Sequence, residues 1–106
     1  MIRAEAGYKG SKFYSLVING HGGLEEGKDI YCAGVSSCLI GALNALEHAE
    51  NYSLRIESGH AKISLLQTST SHDEVVLETL ITQLQTMAKS YPERVKLTIS
   101  KKEGQS

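Results

Sequence analysis

The sequence predicts an α+β fold, a mostly antiparallel sheet with two main helices in the order ββαββαβ. Three observations carry this reading. Two pairs of short segments, rich in branched and aromatic side chains, flank glycine turns: residues 2–8 and 12–19 around Gly10-Ser11, and residues 52–57 and 60–66 around Ser58-Gly59. Two longer stretches instead repeat their apolar residues in steps of three and four, the spacing of a helical face. The alternation Val95, Leu97, Ile99 closes the chain with one more strand.

In the first pair, Ile2, Ala4, Ala6 and Tyr8 alternate with charged or small residues, and Phe13 to Ile18 is rich in aromatic and branched side chains. The first helical stretch runs from Ala33 to Glu50, with Val35, Leu39, Ala42, Leu46 and Ala49 on one face. Asp29 is its N-cap, because a carboxylate there accepts hydrogen bonds from the free amides of the first turn. Cys32, Ser36 and Leu43 fall together beside the apolar stripe, whereas Cys38 falls near its opposite edge. Gly34 costs up to about 1 kcal/mol relative to alanine, and its missing side chain lets a neighbour pack close to Cys32. After the second strand pair, a helix opens at Ser71 with Glu74 completing a capping box, and continues through Val76, Leu77, Leu80, Ile81, Leu84 and Met87. Pro92 stops it. The polar tail, Lys101 to Ser106, is expected to fray.

At 106 residues the chain is read as one domain, residues 1–106, large enough to bury a core without metal or disulfide. Eleven basic and twelve acidic residues give a net charge of −1 with no basic block, so a direct nucleic-acid ligand is disfavoured. No apolar run is long enough for a membrane span. Met1-Ile2-Arg3-Ala4-Glu5 lacks the pattern of a secretory signal, and a cytoplasmic location is expected. If both cysteines lie on the first helix, Cys32 and Cys38 are separated by about 9 Å of axial rise, beyond bridging distance. Both read as free thiols.

The chemistry concentrates between residues 19 and 37. His21 follows the second strand, Gly20, Gly22, Gly23 and Gly27 give the next stretch the character of a mobile loop, and Cys32 stands where the helix begins. The positive end of a helix dipole favours a thiolate. A neutral imidazole within hydrogen-bond reach takes the thiol proton and returns it to a leaving group. Asp29 has two compatible roles, capping the helix and orienting His21. Ser36, one turn after Cys32, either donates to a reacting carbonyl or bonds its own helix. The amides of the first turn are the better oxyanion donors on this reading. Cys38 reads as a core or helix-edge thiol, and His48, His60 and His72 as solvated or structural. No cofactor or metal is expected, since a zinc site built from His21, Cys32 and His60 lacks the spacing of zinc ligands.

The run Gly20-His21, the glycine and acidic loop, and Asp29-Ile30-Tyr31-Cys32-Ala33-Gly34-Val35-Ser36 resemble the signature of the bacterial ribosomal-processing cysteine proteases. The helix after the cysteine, Ser58-Gly59-His60 and Leu84-Gln85-Thr86 extend the resemblance over nearly the whole chain. The resemblance implies a small homodimeric endopeptidase that removes the N-terminal extension of a large-subunit ribosomal protein, number twenty-seven, after an aromatic-rich segment. By position, Cys32 is then the nucleophile, His21 the general base and acid, and Asp29 and Ser36 supporting residues. Gly22 departs from the alanine often found after the histidine. Glu25 and Glu26 would attract the substrate's basic residues, and its aromatic side chain would fill an apolar pocket near Tyr31 and Leu39. The alternative is a non-catalytic ribosome-associated or ribosome-assembly protein, although the single Phe13, five tyrosines and near-neutral charge offer little for binding RNA. A thiol redox module is disfavoured, because Cys32 and Cys38 do not form a Cys-x-x-Cys pair.

Overall fold

A computed structural model describes residues 1–24 and 28–102. Strands β1 (Ile2–Lys9), β2 (Lys12–Gly20), β3 (Tyr52–Glu57), β4 (His60–Leu65) and β5 (Val95–Lys102) form one sheet in the order β3-β4-β2-β1-β5. Every neighbouring pair is antiparallel except β1 and β5, which run parallel from Ile2↔Val95 to Lys9↔Lys102. Helix α1 (Ile30–Ala45) links β2 to β3, and helix α2 (Ser71–Ser90) carries the chain from β4 across the sheet to β5.

The alternation seen in the sequence decides the layers. Ile2, Ala4 and Ala6 of β1, Leu16 and Ile18 of β2 and Ala61 and Ile63 of β4 face inward, while Arg3, Glu5, Lys62 and Lys96 face solvent. Val35 and Leu39 from α1, and Leu77, Leu80, Ile81 and Leu84 from α2, complete the same core. Each such leucine or isoleucine stabilises the fold by about 1.5–3 kcal/mol relative to exposure.

Three boundaries differ from expectation, each for a local reason. Helix α1 stops at Ala45 rather than Glu50. The carboxylate of Asp73, fully buried, accepts the amides of Glu47 and His48 at 2.9 Å each and so turns the chain out of the helix. The N-cap of α2 is Thr70 rather than Ser71: its hydroxyl accepts the Asp73 amide at 3.2 Å, while Glu74 bonds Ser69 and the Phe13 amide instead of closing a capping box. Strand β5 continues through Lys101 and Lys102, which pair with Tyr8 and Lys9, so the expected fraying cannot begin before residue 103; residues 103–106 lie outside the described residues.

Candidate active site

β2 ends where it meets the β3–β4 turn. Asn19 pairs with His60 across the sheet, their side chains 2.5 Å apart, and the Gly20 amide donates to the Gly59 carbonyl at 2.9 Å. Gly20 takes a left-handed φ of +98°, which swings the chain off the sheet and delivers His21 toward the start of α1. There the His21 Nδ1 lies 3.8 Å from the Cys32 Sγ. The histidine is exposed and the cysteine half-buried.

Asp29 ties this arrangement together. Its Oδ1 accepts the Cys32 amide at 2.9 Å, which makes it the N-cap of α1, and its Oδ2 accepts the Gly22 amide at 2.7 Å. The expected cap is thus made, while the second oxygen reaches the backbone next to His21 rather than its ring. The bond from the Cys32 amide, with those from Gly22 and Tyr31 and the nearby His21 ring, keeps the Asp29 carboxyl below its ordinary value against the opposing effect of burial. Gly22 must be bare here: a Cβ on it would fall 2.3 Å from Asp29 Oδ1 and 2.9 Å from the Tyr31 Cβ.

Arg94 was not legible as a site residue. Its Nη1 donates to the Gly22 carbonyl at 2.9 Å, and its guanidinium lies 5.6 Å from the centre of the Tyr31 ring, which meets Tyr91 edge-on at 5.1 Å. Tyr31 therefore belongs to this clamp rather than to the apolar pocket predicted beside Leu39. Gly22 is held from both sides. Gly27 and the acidic pair Glu25-Glu26 lie outside the described residues.

The oxyanion expectation also changes. The Ile30 amide donates to the Lys28 carbonyl at 3.0 Å, the Cys32 amide to Asp29 Oδ1, and the Ala33 amide to the Asp29 carbonyl at 3.1 Å; the Tyr31 amide faces the same carboxylate. The first turn has spent its donors on the cap. Ser36 is exposed one turn further on, at the wall shared by two cavities that both reach Cys32. One, about 190 Å³, is apolar and lies between α1 and the β3–β4 hairpin, lined by Ile18, Leu39, Ile40, Ile56 and Ala61. The other, about 670 Å³, is more open and bordered by His21, Lys28, Asp29 and Ser58.

His21, Asp29 and Cys32 each offer a ligand atom within 4.8 Å of the others, the only such grouping of three metal-binding side chains among the described residues. A cation there would sit at the positive end of α1, against a carboxylate already accepting amides. His60, the third member of the zinc site weighed above, instead bonds Asn19. Cys38 packs against the core and remains a free thiol, as does Cys32.

Comparison with known proteins explains why these residues come together. Residues 1–96 match the family described as cysteine protease Prp. A relative from Staphylococcus aureus strain Mu50, named ribosomal processing cysteine protease Prp, is 30% identical over 91 residues, spanning 81% of this chain and 86% of its own length. The fold superposes on SMU.848 from Streptococcus mutans with a TM-score of 0.79 at 26% identity, covering 96% of this chain and 99% of that one. It superposes equally well, at 28% identity and with 96% and 100% coverage, on the S. aureus Prp protease in complex with a covalently linked product peptide. A thiol facing an imidazole across a loop-to-helix junction, on a chain matched almost end to end, makes this protein a cysteine peptidase of the Prp family.

Proposed function

We propose that this peptidase removes the N-terminal extension of large-subunit ribosomal protein twenty-seven, with Cys32 as nucleophile and His21 as general base and acid. The observation that carries the assignment is the 3.8 Å approach of His21 Nδ1 to Cys32 Sγ at the mouth of the apolar cavity. The relatives named as ribosomal processing proteases supply the substrate class.

On this reading an extended peptide lies across Cys32 and its aromatic side chain enters the cavity lined by Leu39, Ile40 and Ile56. His21 takes the thiol proton as sulfur attacks the scissile carbonyl. The developing oxyanion is met by the Ser36 hydroxyl, since the first-turn amides are occupied. The imidazolium then protonates the departing nitrogen as the carbon–nitrogen bond breaks, and water, activated by the same imidazole, hydrolyses the thioester. Asp29 and Arg94 hold the backbone beside the histidine throughout. The enzyme works as a cytoplasmic homodimer without metal or cofactor, and needs neither nucleic acid nor membrane; among the described residues no helix is long and apolar enough to cross one.

The non-catalytic alternative gains little from the sheet: Phe13 and Tyr52 are 2% and 4% exposed, and the exposed Tyr14 ring has Lys9 Nζ 4.1 Å from its centre. The test is incubation with a peptide carrying the extension, read by mass spectrometry. Cleavage at one bond, abolished by Cys32→Ala, is the expected result. An intact peptide, or undiminished cleavage by Cys32→Ala, overturns the assignment.

A further inference from the structure

We infer that Gly59, in the turn between β3 and β4, is a positioning residue for the cleavage reaction: its bare α-carbon is the seat on which the His21 imidazole rests. The inference builds on the Cys32–His21 reading above. A Cβ added to Gly59 would stand 2.8 Å from His21 Nε2, nearer than a Cβ approaches such an atom, and 3.3 Å from its Cε1, a tight contact. The two ring nitrogens thus face opposite constraints, Nε2 resting against the turn and Nδ1 directed at the Cys32 sulfur.

What yields when the seat is filled follows from how each side is held. The turn is fixed to β2 by the bond from the Gly20 amide to the Gly59 carbonyl and by the Asn19–His60 side-chain pair. The imidazole is exposed at the end of a rotatable side chain. The ring moves and the turn stays. Because the ring is rigid, pushing Nε2 away from the turn also displaces Nδ1 relative to the thiol. A misplacement of about 1 Å at reacting groups costs on the order of 10²-fold in rate. Gly59 also has a left-handed backbone, φ +73°, so a substitution carries turn strain as well as a filled seat. Gly10, φ +62°, sits in the β1–β2 turn at the opposite end of β2, roughly 25 Å along the strand, and shares the left-handed backbone far from His21.

The experiment compares Gly59→Ala, Gly59→Asn, Gly10→Ala and His21→Ala in a Cys38→Ser background. It reads kcat and KM on the extension peptide, thermal stability, and the pH profile of Cys32 alkylation by iodoacetamide, which needs no substrate. Gly59→Ala is expected to lose about 10²-fold in kcat with KM little changed. Its alkylation profile should move toward that of His21→Ala, while its melting temperature falls no further than that of Gly10→Ala. Asparagine tolerates left-handed backbone, so Gly59→Asn relieves strain yet still fills the seat, and should remain as impaired as the alanine variant. Recovery in Gly59→Asn, or a wild-type alkylation profile in either Gly59 variant, overturns the seat. If His21→Ala itself keeps wild-type kcat and profile, the Cys32–His21 pair falls and the seat with it. A dead His21→Ala beside a normal Gly59→Ala removes Gly59 alone.

Discussion

Helices α1 and α2 begin alike for three residues and then diverge in what they do with the third. Each has a capping side chain that accepts the amide of the third helical residue, Asp29 for Cys32 and Thr70 for Asp73. In α1 that residue is a half-buried thiol facing an imidazole, and the first turn contains no acidic side chain. In α2 it is a carboxylate with no exposure, bonded to the Glu47 and His48 amides and to His72, and Glu74 follows it. The partial positive charge at the start of α2 faces its own buried carboxylate, whereas at the start of α1 it is shared between the half-buried Asp29 cap and the Cys32 sulfur beside it.

The sharpest way to break this contrast is at the thiol. Cys32→Ala and His21→Ala should each reduce peptide cleavage by roughly 10⁴-fold or more while leaving the far-ultraviolet circular dichroism unchanged. Appreciable turnover by either variant would make α1 as inert as α2. Next in size, Asp73→Ala strands two amides at the end of α1 and should lower unfolding free energy by about 2–4 kcal/mol in urea titrations. Cleavage per folded molecule should hold steady. A stability loss no larger than that of a surface substitution would show that Asp73 does not anchor the chain.

Matched cap deletions sharpen the comparison further. Thr70→Ala and Asp29→Ala should each cost about 1 kcal/mol, but only Asp29→Ala should also depress kcat, because its second oxygen holds Gly22 beside the histidine. Equal kinetic effects would reduce Asp29 to a cap. Replacing Ser36 by alanine should lower kcat by about 10²-fold with KM unaffected, if its hydroxyl meets the oxyanion.

The smallest effect is on pH dependence. Burial alone would push the Asp73 carboxyl up, but the Glu47 amide, the His72 ring and the His48 amide together leave it below its ordinary value, as the cap bonds do for Asp29. Both contributions are present above the unfolded carboxyl value of about 3.9 and vanish as pH falls through the lower folded values. His72 behaves oppositely, its value raised first by the bond to Asp73, so its contribution is full below about 6.5 and fades as pH rises through the folded value. Stability measured by urea should be greatest near pH 5–6, falling below about pH 4 as the carboxylates protonate and above about pH 6.5 as the His72 contribution fades. A flat profile down to pH 3 would contradict the carboxylate bonds.

How much of this was legible in the chain depends on range. Periods of two and of three-to-four residues located all seven main elements, because burial of one face imposes its own spacing on any sequence. Asp29 as cap and Cys32 at a helix start were legible for the same reason, since a cap needs only neighbours within four residues. The end of α1 was misplaced because a carboxylate 25 and 26 positions away, Asp73, takes its amides, and the cap of α2 because the Glu74 carboxylate goes to Ser69 and to Phe13, 61 positions away.

Sequence alone thus determined the element types, the α+β class and the candidate pair His21 and Cys32, all of which follow from local periodicity and side-chain type. Only tertiary structure decided that β5 joins β1 in parallel, that the first-turn amides are occupied, and that Arg94 and the β3–β4 turn close around the histidine. These are contacts between segments up to 72 residues apart, settled by which faces of the sheet and helices must be buried together.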